Sequence, residues 1–481
     1  MVDILNNITT FINDRYGFYP FYCYNTDTEL LFTSEPLLIS RNVKKFDIDS
    51  NSVELFFKYG YLVDQATLIK NLRKIKPASN ITICNSHTSF VQYWSWNLIR
   101  KCNNDSYGKA IDKLGSLFIS SVERIMRKYD KVNLPLSGGL DSRAILAAID
   151  NLGLTNKVLL TCTFGINNCD DLLIARKVSE IGNVDHKFIE LNSERFWSNM
   201  NRSILNTMGS INVIHTHGSM FRQVDLSKPF INGFIGDLVF GGSYLNEDLI
   251  YKRIEFQKYA MNKMRSEGLN NLNQINLTFD NSGIDFNEKY NSPDYFFISR
   301  TRAINFTLIG GKVSGHRFKD AFPFLDNDFI NYLYGLSDEW RIDSRIYRDV
   351  LLKFFPNYFR TVIWQKNGEV IEGYNNKFIS SEYIQVEDFT KNDVNRIKNY
   401  FDYKKWLTDK KYEGYLREQL RTNNYYNKTE IEKLLDIHYS SDVSTQKDIG
   451  LLLTFSIFKK YIDDINNRLK EIDEVYDLIL L

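Results

Sequence analysis

The chain has 481 residues, 43% of them hydrophobic and 14% aromatic, a composition that supports a sizeable core and excludes wholesale disorder. Lys and Arg number 60 against 59 Asp and Glu, a formal net charge of +1, so the basic excess of a dedicated nucleic-acid binder is missing. Five cysteines, an odd number with no Cys-x-x-Cys spacing, exclude a disulfide framework and a zinc ribbon and point to a reducing compartment.

No basic-then-apolar leader opens the sequence. The longest apolar run, Leu451–Phe458, falls short of the roughly 18 residues that span a bilayer. The expectation is a soluble, cytoplasmic protein with no nucleic-acid and no membrane partner.

Residues 14–98 read as β-rich. Tyr19–Tyr24 and Leu30–Phe32 flank Asn25–Thr28 as a hairpin. A short helix is expected at about Ser52–Tyr59, a further element at Ala66–Leu72, and strands at Asn80–Cys84 and Ser89–Trp94. The basic clusters Arg41–Lys45 and Lys70–Lys76 read as solvated surface. At 105–128 the period becomes helical, with Ile111, Leu114, Phe118, Val122 and Ile125 on one stripe. Strand and helix then alternate: Val132–Leu136, Ser142–Asn151, Lys157–Phe164, Asp171–Ile181 and His186–Leu191. That alternation predicts a parallel sheet with helices on its faces. Residues 246–300 are polar and Asn-rich, and from 316 helices dominate around a polar stretch near Asn367–Asn376.

The most informative stretch runs from Leu136 through Ser137-Gly138-Gly139-Leu140-Asp141-Ser142. A buried strand ends, two glycines without Cβ atoms let backbone N–H groups close around an anion, and a helix presents its positive end to the same spot. The five fixed residues of Ser-Gly-Gly-x-Asp-Ser arise by chance about once in a million positions at roughly 7% usage each. The Gly-Lys-Ser/Thr ending of a Walker A loop is absent. A carboxylate beside bound phosphates is repulsive unless a cation lies between them, so Asp141 reads as a Mg²⁺ ligand.

Ser137–Ser142 resembles the pyrophosphate loop (PP-loop) of the N-type ATP pyrophosphatases, which cleave ATP between the α and β phosphates. Further segments resemble the asparagine-synthetase-like branch of that family. Asn232-Gly233-x-x-Gly236-Asp237 is similar to its second motif, whose aspartate is the other Mg²⁺ ligand. Phe322-Pro323-Phe324-Leu325-Asp326 matches its Pro-Phe-Leu-Asp segment. Val362–Gly368 resembles the loop carrying its catalytic lysine, which assigns that role to Lys366. Leu136, Phe164 in Cys162–Gly165, and Asn232–Gly233 match its nucleotide-contacting positions, and Asp171 with Ala175-Arg176 matches its next helix. Arg348 is the candidate for a second basic residue at the phosphates; a surface salt bridge is the equal alternative. Asp14–Tyr22, Leu31–Glu35, Thr67–Lys70 and Lys76-Pro77 resemble the later half of the family's glutaminase domain. The cysteine such a glutaminase uses at its N-terminus has no counterpart, and Cys23 reads as a core residue.

The resemblance implies an α/β fold: a PP-loop synthetase domain with a helical C-terminal part over 101–481, preceded by a small β-rich, truncated and inactive Ntn-hydrolase-like glutaminase domain over 1–100. It implies ATP and Mg²⁺ as cofactors and an AMP-forming amide ligase that activates a carboxylate for attack by an amine. The style is closest to β-lactam synthetases and lasso-peptide cyclases. The substrate is then a small-molecule or peptide carboxylate, with a precursor peptide and an associated maturation protein as partners. Where the family often has Glu or Tyr, this chain has Phe234, which moves no proton. His215 and His217 are the candidates for the base; two polar loop histidines are the bland reading. An ammonia-dependent synthetase, a nucleotide-binding regulator and a tRNA sulfur transferase remain as alternatives.

Overall fold

The computed structural model describes residues 2–3, 7–43, 45–84, 87–101, 103–219, 224, 227–265, 267–269, 284, 286, 290–312, 320–380, 388–394, 397–423 and 427–479. Cys102 and most of the Asn-rich stretch at 270–289 lie outside them. Ten strands are described: β1 (Val2–Asp3), β2 (Ile8–Ile12), β3 (Tyr22–Asn25), β4 (Leu30–Thr33), β5 (Leu72–Lys74), β6 (Ser79–Cys84), β7 (His87–Gln92), β8 (Val132–Pro135), β9 (Val158–Gly165) and β10 (His186–Glu190). The first six α-helices are α1 (Ser50–Tyr59), α2 (Tyr107–Lys128), α3 (Leu140–Asn151), α4 (Asp170–Ile181), α5 (Ser193–Asn206) and α6 (Gly236–Val239).

The first seven strands form two antiparallel sheets, ordered β1-β2-β6-β7 and β4-β3-β5. The expected hairpin is β3–β4, with Tyr22 opposite Thr33 and Asn25 opposite Leu30. Ala66–Leu72, expected as a regular element, is a turn that only leads into β5. The Thr67 hydroxyl donates to the carbonyls of Ile69 and Leu72 at 3.0 and 2.8 Å, and Asn71 has φ 65°. A side chain that serves its own backbone in this way competes with regular pairing.

The expected parallel sheet is present, ordered β10-β9-β8. Parallel bridges from Asn133 to Phe230 and from Ile231 to Ala321 extend it on the far side of β8. The chain therefore departs from β8 in both directions, the switch point where open α/β sheets form a crevice at their carboxyl ends. Helix α2 buries Ile111, Leu114, Phe118 and Val122 along the predicted stripe. Helix α3 begins at Leu140, two residues before the expected start, so Asp141 sits in its first turn.

The β-rich first hundred residues do not close over a core of their own. Tyr16, Phe18, Trp94 and Trp96 pack into one cluster with α2, Tyr295 and Tyr334, while Tyr22, Phe46 and Phe56 join Leu452 and Phe455 of the helix Gln446–Ile479. One lysine of the cluster read as surface is buried. Lys74 is 9% exposed and donates to Asn305 Oδ1 at 2.7 Å, because β5 faces the junction between these regions. Among the described residues, no helix is long and apolar enough to cross a membrane.

Candidate active site

At the end of β8 the Leu136 amide donates to the Cys162 carbonyl (2.8 Å), and the Thr163 hydroxyl donates to the Leu136 carbonyl (2.6 Å). These bonds align the two strand ends before the loop departs. No side chain caps α3, whose N-cap is Gly139, so its first-turn amides and positive dipole end remain directed at the loop. The Ser137 amide donates to Ser142 Oγ (3.1 Å) and the Gly139 amide to Ser137 Oγ (3.2 Å), which brings both hydroxyls to the loop's interior.

Gly138 departs from the expectation that it binds the nucleotide. Its amide donates to Asp171 Oδ1 at 2.7 Å, because the first turn of α4 lies beneath the loop. Its lack of a side chain serves close packing: a Cβ there would lie 2.7 Å from the Cβ of Gln365. Burial raises the Asp171 carboxyl to about 6. The wholly buried Arg143 donates to the carbonyls of Gly138 (3.1 Å), Val362 (3.0 Å) and Ile363 (2.9 Å), tying the loop to the segment that leads to Lys366.

Asp141 and Asp237 meet. Asp141 Oδ2 accepts the Asp237 amide at 2.8 Å, and its Oδ1 accepts the Tyr347 hydroxyl at 2.8 Å. Two backbone features allow this approach. Ile235, just before α6, has φ 58°, a left-handed conformation that costs a β-branched residue on the order of 1–3 kcal/mol. A Cβ on Gly236 would lie 2.6 Å from the Asp141 carboxyl carbon, and one on Gly233 would lie 2.7 Å from the Ser142 amide. Burial, then the Asp237 charge, push the Asp141 carboxyl up to about 8. Asp237 is open to the cleft, yet the surrounding walls raise it too; the Ser243 hydroxyl and the charges of Lys366 and Arg302 work against that rise.

Neither carboxylate forms a salt bridge among the described residues, where no group of three or more acidic, His or Cys side chains gathers as a complete metal cage either. Two carboxylates with an unmet demand for positive charge fit Mg²⁺, which takes one or two protein carboxylates and fills its remaining positions with water and phosphate oxygens.

A cleft of about 750 Å³ opens over these groups. It is lined by Leu136, Ser137, Gly139, Asp141, Ser142, Phe164, His215, His217, Asn232, Gly233, Asp237 and Lys366, so it gathers every candidate except Gly138 and Arg348. Lys366 is exposed, with Nζ 5.0 Å from the centre of its own Trp364 ring. Phe164 packs edgewise toward Tyr400 and leans on His217. His217 has its two ring nitrogens 3.3 and 3.0 Å from the hydroxyls of Tyr403 and Tyr400, and burial lowers it to about 3. His215 has Nε2 3.3 Å from Glu267, and burial lowers it as well. Phe234 lines the cleft from an aromatic cluster with Phe18 and Phe322.

Arg348 is not among the lining residues. Its charge acts on Asp349 and Tyr107, where Asp349 also accepts the amides of Tyr374 and Asn375. The helix Arg345–Phe354 buries Ile346, Tyr347, Asp349, Val350, Leu351 and Leu352; Tyr347 enters the site, whereas Arg348 lies on the side of Asp349 and Tyr107. The arginine that lines the cleft is Arg302. Tyr347 was detectable in the sequence from that i, i+3, i+4 pattern; Arg302 lies in no motif and carried no comparable signal.

A glycine-rich loop and a carboxylate pair thus meet at the switch point of a parallel sheet, in a mixed α/β protein with a β-rich N-terminal region and a helical C-terminal part. Sequence comparison places it further. Residues 2–94 match the family described as glutamine amidotransferase domain, and residues 113–280 match asparagine synthase. A Methanocaldococcus jannaschii protein, provisionally named glutamine-hydrolyzing asparagine synthetase 2, is 30% identical over 139 residues, 28% of this chain and 27% of that protein. The glutamine-hydrolyzing asparagine synthetase 3 of Bacillus subtilis is 29% identical over 147 residues, 30% of this chain and 24% of that protein. The chain thus spans about a quarter of the length of these curated relatives. Residues 113–280 are thus similar to asparagine synthases, and residues 2–94 to glutamine amidotransferase domains.

Proposed function

We propose that the chain is an ATP-dependent amide-forming ligase with a PP-loop nucleotide site, releasing AMP and pyrophosphate. The observation that carries this reading is the facing pair Asp141 and Asp237 beside the Ser137–Ser142 loop, in a cleft that also holds Lys366. A pair left short of positive charge is a poor structural device and a good seat for a cation-bound triphosphate. Mg²⁺ bound there neutralises the phosphate oxygens and the leaving pyrophosphate. The hydroxyls of Ser137 and Ser142 and the N-terminus of α3 hold the departing phosphates, and Lys366 adds charge at the same end. Such preorganised donors are worth several kcal/mol where charge develops. The carbonyl ends of β8 and β9, with Phe164, form a slot for the base, and Asn232–Gly233 close its other side.

A substrate carboxylate oxygen attacks the α-phosphorus, the bond to the bridging oxygen breaks, and pyrophosphate leaves with that electron pair. An amine then displaces AMP from the acyl-adenylate. Cys23 supports a glutaminase region without activity: it lies in the middle of β3, paired to both neighbouring strands, with its thiol raised by burial. The amine is then the substrate's own or a second molecule's. A lasso-type macrocyclase acting on a precursor peptide, with a maturation protein, fits an open cleft near the upper part of the roughly 300–1,000 Å³ usual for ligand sites. Free ammonia is the alternative. Sulfur transfer is disfavoured, since burial pushes the thiols of Cys162 and Cys169 up to about 12 and about 11. The four described cysteines are free thiols, which suits a reducing, cytoplasmic setting. In this reading residues 1–100 are the glutaminase-like domain and 101–481 the synthetase domain.

The test is ATP–pyrophosphate exchange with Mg²⁺ and pooled carboxylates and small peptides. The expected result is exchange that requires an added acid and disappears in Asp141→Asn. ATP binding without exchange in any pool would favour a nucleotide-binding regulator.

A further inference from the structure

Attack of an amine on an acyl-adenylate leaves a proton on nitrogen, and the cleft offers few places for it. Asp141 and Asp237 serve the phosphates, Lys366 is a cation, and Tyr347 donates to Asp141. Both ring nitrogens of His217 face tyrosine hydroxyls. Asp171, which also lines the cleft, is held beneath the loop by the Gly138 amide, and Phe234 has no group that takes a proton. His215 remains.

The surroundings of His215 are built. The turn Val213–His215 is capped by Asn212, whose side chain accepts the Ile214 amide. The Phe306 ring packs against the imidazole at 4.6 Å, and a Cβ on Gly310 would lie 3.0 Å from the His215 carbonyl. His215 Nε2 is wholly buried and makes no hydrogen bond of good geometry; the acceptor beside it is Glu267 Oε2, an ion-pair contact at 3.3 Å, whereas 22% of the side chain remains accessible. The accessible part is therefore the rest of the ring, and His215 lines the cleft. Glu267 does not line it. It stands behind the imidazole, its other oxygen 3.1 Å from Arg302, and Arg302 stacks on Phe306 at 3.8 Å.

An ionised carboxylate only accepts. Beside Nε2 it selects the Nε2–H tautomer and leaves the ring's lone pair on Nδ1. That arrangement, a base fixed by a buried acid, is the orienting logic of catalytic triads. We propose that Glu267 is a positioning residue that holds His215 as the proton acceptor for the attacking amine, a role that rests on the ligase reading above. As the C–N bond forms, the N–H proton passes to Nδ1, the bond from the acyl carbon to the phosphate oxygen breaks, and AMP leaves with that electron pair.

The charges facing His215 are Glu267, Arg302, Lys447 and His217. Burial lowers the imidazole and Glu267 works against that loss. Burial would raise Glu267, yet His215, Arg302 and Lys447 hold it at about 2, so it stays ionised across the working range.

The test separates the two half-reactions in the full-length chain, using the acid pool that supports exchange. Ammonium chloride is the amine that needs a base; hydroxylamine, a much weaker base whose N-protonated adduct gives its proton to water, is the nucleophile that needs one far less. In His215→Gln, pyrophosphate exchange and hydroxamate formation should stay within about threefold of wild type while amide formation falls roughly 100-fold. Glu267→Gln should lose roughly 10- to 100-fold in amide formation, and the acid limb of its pH profile should move to lower pH, a shift that a merely structural ion pair would not produce. The chain has six histidines, so ¹⁵N-histidine spectra can assign the tautomer by difference against His215→Gln. The expected state is Nε2–H in wild type and a loss of that preference in Glu267→Gln. Undiminished amide formation in both variants, or an Nδ1–H tautomer in wild type, would overturn the dyad alone. Absence of exchange in wild type would overturn the ligase reading itself.

Discussion

Two groups of carboxylates lie close together in this protein and are treated in opposite ways. In the first, Arg341 is 1% exposed and donates to Asp294 (2.6 Å), Ser292 (3.0 Å), Asp338 and the Val239 carbonyl (3.1 Å), with the Tyr334 ring 4.1 Å below it. Lys101 reaches Asp338 at 2.6 Å and Tyr334 donates to Asp294 at 3.0 Å. Two cations meet two anions, and although burial would raise Asp338, Arg341 and Lys101 hold it below the usual carboxylate range. In the second group, Asp141 and Asp237 face each other without a paired cation and are raised. The first group is closed and internally neutralised, and the second opens onto the cleft without a paired cation among the described residues. They are linked, because Val239, whose carbonyl Arg341 holds, is the last residue of the short helix α6 that carries Asp237.

The contrast can be broken from either side. Arg341→Met leaves the buried Asp294 without a cation and Asp338 with Lys101 alone, and should cost about 3–5 kcal/mol in denaturant unfolding. Asp141→Asn, nearly isosteric, should keep the fold but reduce ATP–pyrophosphate exchange by about 10²–10³-fold, about 3–4 kcal/mol of transition-state stabilisation. Arg143→Met removes the donor to four carbonyls, those of Gly138, Tyr358, Val362 and Ile363, and should destabilise by about 2–3 kcal/mol in the same unfolding assay.

The second group also predicts a pH signature in ligand-free protein. A raised folded-state carboxyl keeps its proton from the ordinary value of 3.8 up to about 8, while the unfolded chain has already lost it. Stability from this group is present at low pH and is lost as pH rises through about 8. Asp141→Asn should therefore gain on wild type between these values, by on the order of 1–2 kcal/mol at pH 8.5 after allowing for solvent access from the cleft. A constant difference across pH would remove the contrast. The smallest effect belongs to Arg348→Ala, which should change exchange by less than about twofold because that side chain turns away from the cleft; a larger loss would place the phosphate clamp back on Arg348.

Much of this arrangement was legible in the sequence where chemistry is local. The loop Ser137–Ser142, the alternation of β8 to β10 with α3 and α4, the stripe on α2 and the hairpin β3–β4 each follow from neighbours a few residues apart. Asp237 was legible because it travels in a motif with Asn232 and Gly233. What escaped depends on distant approach. The Tyr347 hydroxyl meets Asp141 across 206 positions, and Arg302, Glu267 and His215 come from separate segments. The bond from the Gly138 amide to Asp171 also spans separate elements, since Asp171 lies in the next helix. The first hundred residues looked separable because their strand pattern is local, yet their aromatic residues pack against α2 and the C-terminal helix.

If Asp141 and Asp237 hold a cation-bound nucleotide triphosphate, the cation should decide its affinity. Calorimetric titration with α,β-methylene-ATP, which cannot be cleaved at the reacting bond, measures this in the presence and absence of Mg²⁺. Binding should tighten at least about tenfold with Mg²⁺, and Asp237→Asn should lose this gain. Equal affinity with and without Mg²⁺, unchanged in the variant, would mean that the pair holds no cation-bound nucleotide.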